Sequence, residues 1–249
     1  MRCVAGVIHR CGLLRAEYLR YADDLVHLYR TRERPSDPVP DWMKHDPAAV
    51  RVESLGIFDT VGSLGVPLWG WWFRALPHWK NEALSTDPMP VCRHIYHAMA
   101  MDERRSQFFP TPFARPKTGG TTLEQVWFGG AHADIGGGYA ETGLSDIALA
   151  WMVAAAERHG LTFGDEIATD RRPDPPARLH DEPARKPAWR RFGSWPRWHP
   201  VPDAEDPAAP APPGTLHPSV LRRMEVAHDR LGRPDFVRLD AGRSFDIDV

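Results

Sequence analysis

No stretch of this 249-residue chain approaches the roughly 18 consecutive apolar side chains of a membrane span, so no transmembrane helix is expected. Cysteine is scarce: Cys3, Cys11 and Cys92 are an odd number without a Cys-x-x-Cys pair, which argues against a disulfide framework and predicts buried thiols. Net charge is nearly absent, at −2 with an isoelectric point near 6.6, so a nucleic-acid partner is not expected. Neither the Gly-x-Gly-x-x-Gly nor the Gly-x-x-x-x-Gly-Lys-Ser/Thr phosphate loop occurs, no internal repeat is visible, and no motif calls for a cofactor. The opening Met1 to Arg10 stays apolar only as far as His9, too short a run for a cleaved leader. Synthesis in the cytoplasm follows as the expectation.

What is present is a globular composition, 42% hydrophobic, with two excesses: 25 prolines and 10 tryptophans. The prolines concentrate in 32–47 and 170–214, which therefore read as a loop and a long irregular excursion, partly disordered. Four tryptophans, Trp69, Trp71, Trp72 and Trp79, fall between Leu64 and Val91. They are core over a sheet edge, the lining of a greasy entrance for an acyl chain, or a contact with a bilayer interface. Helices are predicted where apolar residues recur at helical spacing: from Val4 to a cap at Gly12, from Ala16 to Arg30 with Leu19, Leu25, Val26 and Tyr29 on one side, and from Arg93 to Phe108 with Ile95, Met99 and Met101. Two more are expected from Gly143 to Gly160, capped by Ser145 with Ile147, Ala150, Trp151 and Ala154 inward, and from Val220 to Leu231. Val52–Phe58 and Val126–Phe128 read as strands, with 236–239 as a last one.

The chemistry concentrates behind the second of those strands, in Gly129-Gly-Ala-His132-Ala-Asp-Ile-Gly-Gly-Gly138. Glycines cost chain entropy, so their clustering around His132 implies an unusual backbone or a very close approach. His132 can be a histidine satisfied by loop carbonyls, a metal ligand together with Asp134, or a general base presented at a strand end. Asp59 closes the earlier strand and precedes Thr60-Val61-Gly62-Ser63. It is either a turn or cap residue or the carboxylate that orients a catalytic histidine. The charged run Asp102-Glu-Arg-Arg105 is a solvated face or a buried brace.

Five ordered segments, Gly56-Ile-Phe-Asp-Thr-Val-Gly-Ser63, Ala98-Met-Ala-Met-Asp-Glu-Arg-Arg105, Val126 to Tyr139, Leu144-Ser-Asp-Ile-Ala-Leu-Ala-Trp-Met152 and Leu216-His-Pro-Ser-Val-Leu-Arg-Arg-Met224, together resemble the catalytic domain of type VI secretion phospholipase effectors. The resemblance implies an α/β-hydrolase fold, a mostly parallel sheet flanked by helices, incomplete at the N-terminus. It runs from the first helix to about Met224, and the domain it implies spans 1–231, with 170–214 as an insertion and 232–249 as a tail. It further implies Asp59 as triad acid, His132 as general base, phospholipid or another ester as substrate, export by type VI secretion, and a secretion-apparatus or immunity partner. Family members carry a Gly-Phe-Ser-Arg-Gly nucleophile elbow just before a helix like Val4 to Leu14, and this chain begins inside that helix. Gly143-Leu-Ser145 and Gly242-Arg-Ser244 lack the second glycine and follow His132 in the chain. The expectation is a fragment holding two of three triad members and inactive alone, or else a truncated or split-gene product kept as a binding module.

Overall fold

The computed structural model describes residues 2–31, 39–61, 87–105, 108, 110–114, 116, 120–185 and 214–223. Its spine is a four-stranded, all-parallel sheet in the order β1 (Val52–Phe58), β2 (Cys92–Ala100), β3 (Thr122–Phe128), β4 (Thr215–Leu216). Parallel strands require crossovers and are covered on both faces. Here the helix α1 (Arg2–Cys11) sets Ala5 against Leu55 and Ile57 on one face. On the other, α4 (Gly143–Glu157) sets Leu144, Ile147 and Ala148 against Ala98, Ala100, Val126 and Phe128. Fully burying an aliphatic or aromatic side chain of this size stabilises by about 1.5–3 kcal/mol. Gly56 makes the second packing feasible, because a Cβ there would lie 2.5 Å from Met152 Sδ.

The segment expected as a helix from Arg93 to Phe108 is instead the strand β2. Paired with β1 on one side and β3 on the other, it is buried without interruption from Ile95 to Ala100. A strand enclosed on both faces loses the alternation that distinguishes strands, and a short continuous apolar run rich in Ala and Met reads equally well as helix. β1 lies where it was expected, and β3 contains the expected 126–128 but begins earlier, at Thr122.

The first helix ends with Gly12 at φ 92°, as a left-handed cap. The second divides into a 3-10 segment, Ala16–Tyr21, and α2 (Ala22–Thr31). Leu25 and Tyr29 face inward, but Leu19 and Val26 are exposed. In α4 the residue before the first turn is Thr142, and Ser145 lies inside the helix with its hydroxyl donating to the Thr142 carbonyl. Ala154 is exposed, and Val153 and Ala155 carry the buried contacts. A short helix, α3 (His132–Gly136), takes the place of the expected glycine loop. Beyond α4 come α5 (Asp165–Thr169) and α6 (Glu182–Arg185). Between them 170–181 is irregular, as expected, yet firmly tied to α3 and α4. The tryptophan-rich segment, Ser244 and the expected last strand lie outside the described residues. Cys11 and Cys92 are buried free thiols, burial raising the latter's pKa to about 11.

Candidate functional site

Because the strands are parallel, their carboxyl ends share one rim, and three segments leave it side by side: Asp59 after β1, Met101 to Arg105 after β2, and Gly129 to His132 after β3. Asp59 is wholly buried and adopts φ 37°, the one positive value outside glycine among the described residues. Asp tolerates that region better than most side chains, yet its use on a buried residue is a strain that the surroundings must hold in place. They do so through its own N–H, which donates to the Ala98 carbonyl at 2.6 Å, and through Oδ1, which accepts from Ala100 N at 2.7 Å.

The second carboxylate oxygen, Asp59 Oδ2, lies 2.7 Å from Nδ1 of His132. β2 separates the two parent strands, so the pair bridges over its end. Burial pushes the Asp59 carboxyl above its usual value, opposed by the bonds from His132 and Ala100 N. With Nδ1 donating to the carboxylate, Nε2 is left as a lone-pair acceptor. The ring is 31% exposed, so this nitrogen can reach a reacting group. Phe108 tilts beside the ring at 5.1 Å. Among the described residues, no serine hydroxyl bonds to His132.

The ring's placement begins at Gly130, with φ 142° and a hypothetical Cβ only 2.6 Å from Asp134 Cβ. Only glycine lets the chain double back so closely under α3. Asp134 caps α3 from within, Oδ2 accepting from Ala131 N at 2.9 Å. Its Oδ1 lies 2.7 Å from His180 Nδ1. Asp134 is thus bound up with His180, and no shared ligand set with His132 is formed by its carboxylate.

The run 102–105 is the buried brace and not a solvated face. Asp102 exchanges backbone and side-chain bonds with Gly130. Glu103 chelates Arg105 through Nε at 2.8 Å and a terminal nitrogen at 2.7 Å, and its Oε2 also accepts from the backbone N–H of His132 at 3.1 Å. Arg105 in turn stacks over Phe108 at 3.8 Å. One carboxylate therefore holds the main chain of His132 while another holds its ring. From within the run Arg104 pairs with Asp181 at 2.6 Å, and beyond it Tyr139 donates to Glu182 at 2.9 Å. Burial and then Glu182 raise the Tyr139 pKa out of the ordinary range.

Sequence reasoning missed two further contributors. His97, fully buried on β2, accepts from Thr60 N at 3.2 Å and pairs with Gln125 Oε1 at 3.3 Å, thereby fixing the turn that follows Asp59. Burial lowers its pKa to about 4. Recognising β2 as a strand would have revealed it. His180 stands in an aperiodic segment, and no local signal could have found it.

A family model described as "T6SS, Phospholipase effector Tle1-like, catalytic domain" matches residues 1–155, a span that includes Asp59, the brace and His132. No curated protein and no solved structure matches the chain.

Proposed function

We propose, from the premise that this chain belongs to the type VI secretion phospholipase effector family by its catalytic domain, that it carries the base and acid of a serine-type lipid esterase. The observation that bears the reading is the 2.7 Å contact between buried Asp59 and the partly exposed His132. In that chemistry a serine hydroxyl attacks the ester carbonyl while His132 Nε2 takes its proton. The proton then passes to the departing alcohol, and a water molecule, deprotonated by the same nitrogen, releases the acid. Asp59 does not take the proton. It keeps Nδ1 protonated and stabilises the imidazolium that forms.

The nucleophile in this reading is a serine supplied on a further strand, and the topology of the sheet supports a place for that strand. The connection from β2 to β3 carries Phe113 over the face that α1 covers. A strand entering α1 and crossing in the same right-handed sense would pair with the outer edge of β1. That puts its carboxyl end one strand spacing, about 4.8 Å, from the strand that ends at Asp59. The proposed unit, 1–231, reaches past the matched 155 residues, and what supports the extension as far as 223 is Arg223 donating to the Pro175 and Ala177 carbonyls at 2.7 and 2.6 Å and His180 on Asp134. Phospholipid is the substrate, with a secretion-apparatus or immunity protein as partner.

The test compares hydrolysis of a short-chain ester and of phospholipid by the chain itself, by the chain extended upstream through a Gly-x-Ser-x-Gly segment, and by the extended form with His132→Ala. Turnover is expected from the extended form alone. Robust turnover by the unextended chain would identify a different nucleophile. Inactivity of all three would favour a non-catalytic binding module.

A further inference from the structure

At the opposite rim, where the strands begin, a second cluster of chemistry-bearing side chains has no part in the reading above. Glu53 on β1, His94 on β2 and His159 just beyond α4 each bring a potential ligand atom to within 4.8 Å of the others. We propose that these three residues form a site for a divalent transition-metal ion, Zn2+ above all.

The donor set is the first argument. Two imidazoles with one carboxylate and an open position for water is a ligand set that Zn2+ takes, whereas Mg2+ and Ca2+ prefer oxygen alone. The second argument lies behind the ligands, since metal-bound histidines generally have the other ring nitrogen held by a hydrogen bond. Both do here. His94 Nδ1 is 2.8 Å from Thr122 Oγ1, a hydroxyl placed opposite it by the β2–β3 register. His159 Nε2 is 2.7 Å from the Tyr96 hydroxyl. With Thr122 accepting, His94 Nε2 turns its lone pair towards Glu53 Oε1, 3.9 Å away.

Charge favours the same reading. The rings of His94 and His159 stack at 3.9 Å and 18°, which brings both imidazoles to the same side of the cluster. His159 follows directly on the carbonyl end of α4, a 15-residue helix whose macrodipole favours a cation there. Arg93 reaches Glu53 through Oε2 at 3.4 Å, and Arg158 is drawn to Glu124 at 3.6 Å, which leaves Glu53 Oε1 on the histidine side. Stacked rings direct their lone pairs within nearly parallel planes, so closing on one ion takes a turn of the His159 ring, which the 2.7 Å bond to the Tyr96 hydroxyl permits as its pivot. The bound ion would clamp the end of α4 to β1 and β2.

The test is calorimetric titration of the 249-residue chain with Zn2+ at neutral pH, beside thermal melts with and without the ion. One ion per chain is expected with micromolar or tighter affinity, about −8 kcal/mol. Glu53→Gln and His159→Ala should each weaken binding at least tenfold and abolish the Zn2+-dependent rise in Tm. Thr122→Ala, which touches no metal, should weaken binding about tenfold by freeing the His94 ring. Glu53 is half-exposed, so its variant tests the site without threatening the fold, and His45→Ala, on an exposed turn, is the control. If neither Glu53→Gln nor His159→Ala changes the affinity, the ion binds elsewhere and the proposal is wrong.

Discussion

Two aspartate–histidine pairs meet at α3. Asp59 lies 2.7 Å from His132, and Asp134 lies 2.7 Å from His180. In both, a buried carboxylate engages Nδ1. The rest of the ring separates them. His132 is 31% exposed and keeps Nε2 open, whereas the His180 side chain is 4% exposed, stacked on Tyr139 at 3.7 Å, with Glu141 facing its Nε2 at 3.6 Å. A histidine held by a carboxylate is therefore not by itself a general base. The same bond serves catalysis where the far nitrogen can meet a substrate and serves architecture where it cannot.

The sharpest way to break the comparison is to remove each histidine in the serine-complete chain. His132→Ala should cost on the order of a million-fold in kcat with little change in Tm. Asp59→Asn, which permits the wrong tautomer, should cost about ten-thousand-fold. Steady-state ester hydrolysis measures both, and a variant at His132 that keeps turnover would remove it from the mechanism. The other pair should answer in stability. Asp134→Ala removes the acceptor of His180 and uncaps α3, so denaturant unfolding should show a loss of about 2–4 kcal/mol.

Glu103→Gln sharpens the contrast within the site, because Glu103 holds the main chain of His132 and not its ring. The amide keeps one acceptor oxygen but loses its charge against buried Arg105, and kcat should fall about 10- to 100-fold with KM nearly unchanged. An unchanged kcat would reduce the brace to a structural role. The last effect concerns His97, which is neutral when folded near neutral pH. Its pKa falls from the ordinary 6.5 to about 4, so between those values the unfolded chain binds the proton and the folded one does not. Stability is complete above pH 6.5 and declines as pH falls towards 4, by up to about 3 kcal/mol. Replacing His97 by Gln, a neutral residue of similar reach, should flatten that part of the pH profile of Tm.

How much was legible follows from where each signal lives. β1 with Asp59 at its end, β3 with its glycines and His132, the α1 cap and α4 could all be read, since each rests on neighbours along the chain: period, small-residue turns and caps. β2 could not, because a strand enclosed on both faces has no alternation to display. The error carried Asp102 to Arg105 with it, for a charged run at the end of a presumed helix suggests solvent, and the same run at the rim of a central strand is buried.

By itself, then, the sequence determined the local presentation of an acid at one strand end and a histidine at another, because backbone preference and hydrophobic period act over a few residues. Only the tertiary structure decided that the two meet across β2, that Glu103 holds one histidine by its main chain, and that His180 is enclosed while His132 is open. Those outcomes depend on register, burial and partners up to 73 residues apart, and a charge acquires its energy from that environment and not from its place in the chain.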